Sequence, residues 1–278
     1  MAKMKIQISK DDFEQSILAA TSSHSEVFES VEPHFKESYQ RISKQILGEV
    51  GEAALETSDD LREAVIKAVC LDAFLGVVRH LDLVLTPTGF GVVANNEVTP
   101  ASSSRVEALI EQCRIALIVA QDTVMSHLTV VSGWGSTLQA QQGIQTVVWS
   151  MEGYCYLTRQ TSMTSKDWMS KLAAMQEADA TLRKLVSDEQ MDDIMCLVRG
   201  VREGNEFEGC VRLMLSRSLI MLANDMLSAY SNERARLLRY FDAHLDNFPI
   251  YADSSAYKAN HFKEFNNEKS KPAFVFNA

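Results

Sequence analysis

The fold is decided by one stretch, Leu81-Asp82-Leu83-Val84-Leu85-Thr86-Pro87-Thr88-Gly89-Phe90-Gly91-Val92-Val93. Two short apolar runs, 83–85 and 90–93, flank the tripeptide Pro87-Thr88-Gly89. Proline fixes φ, and glycine adopts the positive φ that a tight turn requires. The pattern therefore predicts a β-hairpin over about residues 82–93.

Helical patterns enclose this hairpin on both sides. Before it, an apolar pattern that is buried on more than one side begins at a cap, Thr57 or Ser58. After it, Ser104-Arg105-Val106-Glu107 fits a capping box, and a helix of about 25 residues follows. The same reasoning predicts caps at Ser9–Asp12, Thr164–Asp167 and Ser187–Gln190. It also predicts a helix over about 27–50 with Pro33 in its first turn or at a kink, an apolar pattern from Glu206 that continues towards Leu245, and a polar, mobile tail over 252–271.

The sequence as a whole predicts a mainly α protein. We expect a long-helix bundle with the β-hairpin inserted at about residues 82–93 and a short β-prone C-terminal segment, Ala273-Phe274-Val275-Phe276. Residues 1–278 are treated as a single unit with two sub-lobes, a helical lobe with the hairpin over 1–135 and a helical lobe with an extended tail over 164–278.

Charge and composition exclude several classes of protein. The formal net charge is −10 and the isoelectric point is about 5.1, which disfavours tight DNA binding but is compatible with a surface past which DNA slides. The five cysteines contain no C-x-x-C motif, so we expect reduced, buried thiols rather than disulfides or a zinc site. No apolar run approaches the roughly 18 residues of a membrane span, and no signal peptide is expected, so the sequence predicts no membrane association.

We find no motif that predicts catalysis, a metal site or a cofactor. Gly89-Phe90-Gly91 lacks the third glycine of a dinucleotide fingerprint, and Gly133-Trp134-Gly135-Ser136 is not a nucleophile elbow. The six histidines are widely spaced, and Glu49 and Glu52 form E-x-x-E rather than the E-x-x-H of a bundle di-iron site. These two glutamates are interpreted as a solvated helix face, and the chain is predicted not to be an enzyme.

The β-prone pieces are the candidate contact residues, because open strands are an aggregation liability unless another strand covers them. The candidates are Leu83, Leu85, Phe90, Val92 and Val93 in the hairpin, with Phe274, Val275 and Phe276 near the C-terminus. Two arrangements remain open at this point. The C-terminal segment pairs with a hairpin of a neighbouring subunit, or it pairs with the hairpin of its own chain.

Several of these residues resemble an uncharacterised family of tailed-phage proteins encoded among head and neck genes of gut-bacterium phages. The resemblance is carried by residues 81–93, by Asn95–Glu97, by Pro100-Ala101-Ser102 with Arg105-Val106, and by the ending Lys271-Pro272-Ala273-Phe274-Val275-Phe276. By further analogy the chain resembles head-tail connector proteins, which are helical subunits forming a ring beneath the portal.

The resemblance implies a virion structural protein, assembled in the host cytoplasm. Its partners would be copies of itself in a ring, the phage portal and tail or neck proteins, and DNA would pass through without specific binding. Two other classes remain: a cytoplasmic helical adaptor or regulator, and a small-molecule enzyme with a carboxylate site.

Overall fold

A computed structural model describes residues 4–17, 26–81, 83–86, 89–92 and 102–261. The described chain is mainly helical, which confirms the predicted class. Its helices are α1 (Lys10–Ser16), α2 (Glu26–Val31), α3 (Phe35–Ile42), α4 (Gly48–Ala54), α5 (Asp59–Val77), α6 (Ser103–Leu128), α7 (Leu138–Gly143), α8 (Met151–Thr158), α9 (Ser165–Val186), α10 (Asp188–Val198), α11 (Glu206–Ala223), α12 (Leu227–Ala243), α13 (Pro249–Asp253) and α14 (Ser255–Asn260). In this part of the chain, no helix combines the length and apolarity needed to cross a bilayer.

Helices α5 and α6 form the central pair of the first half. Ser58 caps α5 by accepting a hydrogen bond from the amide of Leu61, and this helix is buried on several sides, as predicted. The two helices run antiparallel. Arg79, just after α5, lies 2.9 Å from Glu107 near the start of α6, while Leu128 at the end of α6 lies against Gly51, which precedes α5.

The start of α6 differs from the prediction. Its length of 26 residues agrees with the expected span, but the helix begins at Ser103 and its N-cap, Ser102, makes no side-chain capping bond. The predicted capping box over Ser104–Glu107 is therefore wrong. The carboxylate of Glu107 pairs with Arg79 instead of turning back to the helix end.

Two short strands lie between α5 and α6. Strand β1 (Leu83–Thr86) pairs antiparallel with β2 (Gly89–Val92), and the register places Leu83 opposite Val92 and Leu85 opposite Phe90. The predicted turn residues Pro87 and Thr88 lie outside the described residues, as do the candidate residues Val93, Phe274, Val275 and Phe276.

The helix predicted over 27–50 is not continuous, because two breaks divide this stretch. A 3₁₀ turn, Glu32–His34, contains Pro33, and a π-helical turn, Ser43–Leu47, follows α3. A π turn interrupts the regular hydrogen-bond pattern of a helix. Two distant side chains donate to its carbonyl groups: the indole N–H of Trp134 donates to Ile46 O at 2.9 Å, and Gln139 Nε2 donates to Lys44 O at 3.2 Å.

The second half departs from the sequence prediction in two places. The apolar pattern from Glu206 does not continue as one helix, since Asn224–Met226 separates α11 from α12 and Asp225 adopts φ +55°. The predicted mobile tail is wrong for residues 252–261, which contain the end of α13 and all of α14. Tyr251 is fully buried, and its ring centroid lies 4.4 Å from that of Phe241.

Two glycines allow the backbone after α10 and the backbone after α6 to pack closely against each other. Gly200 has φ +73°, and a Cβ at this position would lie 1.7 Å from the carbonyl oxygen of Thr129. A Cβ at Gly135 would lie 2.3 Å from Arg199 O. Only glycine permits backbones to approach so closely. The buried side chains of the two halves belong to one continuous cluster.

We predict that Trp134→Phe lowers the free energy of unfolding by roughly 1–3 kcal/mol, because it removes the donor of a buried hydrogen bond to the Ile46 carbonyl. Urea unfolding monitored by circular dichroism measures the change. Trp149→Phe is the matched control, since the half-buried indole of Trp149 makes no hydrogen bond within the described residues. Equal destabilisation by the two substitutions would contradict the assigned role of this bond.

Candidate functional site

The two-stranded ribbon is the first candidate site. Among the described residues, the sheet contains only β1 and β2, so the outer edge of each strand has no strand partner there. Unpaired edges carry N–H and C=O groups that another strand can use. A lone ribbon of two strands is marginally stable in water, so it requires packing or pairing with another element.

The register of the ribbon brings together four of the predicted contact residues. Directly opposed residues share a face of an antiparallel pair, and alternate residues along a strand share it too. Leu83, Leu85, Phe90 and Val92 therefore occupy one face. The other face carries Val84, Thr86 and two glycines, Gly89 and Gly91. All large aliphatic and aromatic residue types of the ribbon except Val84 are thus on a single face.

The ribbon emerges where the antiparallel pair of α5 and α6 ends. A 3₁₀ turn, Val78–His80, follows α5 and leads towards β1. The contact between Arg79 and Glu107 holds the two helix ends together beside it. Both side chains are at least half exposed, so this ion pair contributes little to stability, and the buried faces of the helices fix the geometry.

The residues considered for chemistry at the sequence level do not form a site in the described structure. No group of three or more His, Cys, Asp or Glu that could hold a metal ion occurs among the described residues. Glu49 is exposed as expected, but Glu52 is half-buried and accepts a hydrogen bond from Ser43, so its assignment to a solvated face is wrong. Burial, together with the negative charge of Glu52, raises the pKa of Tyr39 to about 12.

The cysteines are reduced but not uniformly buried. All five are free thiols. Cys70 and Cys113 are buried, and burial raises the pKa of both thiols. Cys210 is exposed, so the prediction of buried thiols is wrong for that residue. An amphipathic helix such as α11 has a solvent-facing side, and Cys210 lies on it.

The second candidate site is a cleft that contains Asp122, a residue that the sequence reasoning missed. The cleft has a volume of about 200 Å³ and lies between α6, α7, the segment after α7 and the first turns of α9. Asp122 is only 7% exposed, and its Oδ2 accepts a hydrogen bond of 2.8 Å from the amide of Met151 at the start of α8. One signal in the sequence could have found it: an aspartate among the apolar residues of a helix that is buried on several sides.

The environment of Asp122 favours its neutral form. Burial, opposed by the hydrogen bond from Met151 and assisted by the negative charge of Glu152, raises its pKa to about 7. A carboxyl group with a raised pKa holds its proton more tightly in the folded protein than in the unfolded chain. Its contribution to stability is therefore present at low pH and is lost as the pH rises from about 4 to about 7.

We predict that Asp122→Asn changes the pH dependence of stability. The asparagine carbonyl can still accept from the Met151 amide but carries no charge, so the variant should be more stable than the native protein at pH 8 and close to it at pH 4. The pKa shift sets an upper limit of about 4 kcal/mol at pH 8. Urea unfolding of both proteins at the two pH values measures the difference.

Asp179→Asn provides the matched control for that prediction. Asp179 is equally buried, but its Oδ2 lies 2.7 Å from Arg183 Nε, so neutralising it breaks an ion pair and should destabilise the protein at pH 8. A loss of stability in Asp122→Asn at pH 8 would contradict the assignment of an uncompensated buried acid.

Comparison with known protein families gives a match for part of the chain. Residues 32–137 match a family whose description is "Family of unknown function (DUF6712)". This match covers less than half of the chain and spans α3 to α6 with the ribbon between α5 and α6. No curated protein matches the chain. No solved structure matches it either.

Proposed function

We propose that the chain is a virion structural protein, a head-tail connector whose copies form a ring between the portal and the tail of a phage particle. The observation that supports this proposal best is the ribbon, with its unpaired outer edges and its face of Leu83, Leu85, Phe90 and Val92. Most of the residues that resemble the tailed-phage family fall in and beside this ribbon, within the segment that matches the family of unknown function, and the rest form the ending 271–276.

A ring is built from one head-to-tail contact repeated around an axis. Such a contact joins two different surfaces of the same subunit, and a ribbon at the end of a rigid helix pair is suited to supply one of them. In the proposed assembly, the apolar face of the ribbon packs on the adjacent subunit, and an outer strand edge pairs with a strand from it. The C-terminal segment Ala273–Phe276 is the proposed strand, in agreement with the first arrangement that the sequence left open.

The charge of the chain supports a conduit for DNA rather than a DNA-binding site. A net charge of −10 per subunit repels phosphate, and a ring multiplies this charge, so DNA can pass without adhering to the wall. Portal and tail or neck proteins would contact the two sides of the ring, and the proposed location is the virion, after assembly in the host cytoplasm.

The Asp122 cleft favours a binding role over the alternative of a carboxylate enzyme. General acid–base catalysis by carboxylates commonly uses two titratable groups with separated pKa values. Asp122 is the only charged or titratable residue that lines its cleft in the described structure. The remaining alternative is a cytoplasmic adaptor that never enters particles. The protein content of purified particles distinguishes such an adaptor from a connector.

We predict that the protein is a component of purified particles and that Phe90→Asp reduces its incorporation at least tenfold. A tenfold loss corresponds to about 1.4 kcal/mol, which is less than an aromatic anchor commonly contributes to an interface. Val84→Asp, on the other face of the ribbon, is the matched control and should be incorporated normally. Quantitative mass spectrometry of particles measures all three proteins.

Absence of the native chain from particles would reject the connector proposal and favour the cytoplasmic adaptor. Presence of the native chain together with equal incorporation of Phe90→Asp would reject only the role of the ribbon face.

A separate prediction concerns the C-terminal segment. Deleting residues 273–278 should impair incorporation into particles at least tenfold, while the isolated subunit keeps its native helical content. Mass spectrometry of particles and circular dichroism of the purified subunit provide the two measurements. Normal incorporation of the shortened chain would reject the exchange of this segment between subunits and favour its pairing within one chain.

A further inference from the structure

Asp122 has one carboxylate oxygen with a partner and one without. Oδ2 accepts from the amide of Met151, whereas Oδ1 makes no hydrogen bond within the described residues. The residue is more than nine-tenths buried, and it lines the cleft. A buried carboxylate is costly unless a donor or a positive charge compensates it, and here no cation of the described chain does so.

The other walls of the cleft combine aromatic, apolar and amide groups. Two indole rings, Trp149 and Trp168, line it together with the apolar side chains of Met125 and Leu172. Gln121 and Gln142 add amide groups that can both donate and accept hydrogen bonds. Trp168 is held in place, since it is almost fully buried and packs edge-on against Tyr154 at a centroid distance of 5.9 Å.

We propose that this cleft binds an organic cation, a primary ammonium or guanidinium group on a short apolar stem. The positive group would donate to Oδ1 of Asp122, and the stem would pack on Met125 and Leu172. Indole rings attract cations, most strongly where water is excluded, so the half-buried Trp149 favours the same ligand, while the buried Trp168 forms part of the wall. Anions are disfavoured, because the lining residues offer a carboxylate and no positive charge.

Two kinds of ligand carry such a cationic group. One is a free small amine, and the other is a lysine or arginine side chain of another protein or of another copy of this chain. The inference does not depend on the proposed function, because a cleft that binds free amines and one that accepts a protein side chain are both compatible with a connector. It also differs from the ribbon contact, since the residues involved belong to α6, α9 and the segment after α7.

The experiment is a titration of the full chain at pH 8, with tryptophan fluorescence as the readout. Two of the three tryptophans line the cleft, and the third, Trp134, is fully buried elsewhere. The probes are n-butylammonium chloride, n-propylguanidinium chloride and the capped tripeptide acetyl-Gly-Lys-Gly-amide. The neutral n-pentanol and the anion butyrate are the control ligands.

We expect saturable changes with the cationic probes and none with butyrate, and n-pentanol should bind at least tenfold more weakly. Asp122→Asn should weaken binding of the cations at least tenfold. Asp225→Asn removes the same charge at an exposed position and should bind as the native chain does. Stronger binding of the tripeptide than of n-butylammonium indicates a protein side chain as the source, and the reverse order indicates a free amine.

A second variant tests the proposal independently of Asp122→Asn. Met169 lines the cleft and is 62% exposed at its edge, so Met169→Lys places an ammonium group within the chain itself. We expect this lysine to compete with n-butylammonium and to weaken its binding at least tenfold. The proposal is overturned if no cationic probe gives a saturable change, if n-pentanol binds as well as the cations, or if both variants bind like the native chain.

Discussion

The antiparallel packing of α5 against α6 is the constraint on which the rest of the first half depends. Val65 and Val69 are fully buried along α5, and Val124 and Leu128 are fully buried along α6. The chain between the helices must therefore leave and return at the same end of the pair. A short antiparallel ribbon satisfies this requirement, because its two strands also leave and return side by side.

Local signals predicted the helices well, and they failed where distant residues decide the geometry. Ser9, Ser58 and Thr164 act as N-caps because each satisfies an amide three residues away. The π turn after α3 was not predictable, since two of its carbonyls accept hydrogen bonds from the distant side chains of Trp134 and Gln139. No pattern within one helix carries information about such partners.

The same limit explains the errors in the second half and at the candidate site. Ser187 caps α10 as expected, but the Gln190 side chain accepts from the amide of Tyr251 instead of completing a capping box. That bond ties α13 to the core, which is why residues predicted to be mobile are folded. The register places Leu83, Leu85, Phe90 and Val92 on one face of the ribbon, whereas the position of Asp122 in a cleft depends on α6, α7 and α9, which lie apart in the sequence.

Both candidate sites contain polar groups that have no partner among the described residues. The outer edges of the ribbon have no strand partner there, and the cleft contains a carboxylate oxygen without a donor. Each arrangement costs stability in a single chain, and each cost is removed by binding of a complementary group. A protein that functions by association can retain such features, since its working state supplies the missing partner.

The bond from Trp134 to Ile46 has a consequence for the synthesis of the protein. The two residues are 88 positions apart, so the carbonyl of Ile46 leaves the ribosome long before its donor exists. At about 5–20 residues per second, the delay is on the order of 4–18 seconds. During this interval the π turn between α3 and α4 lacks this bond, and a nascent chain interrupted before residue 134 presents an incomplete lobe to chaperones and proteases.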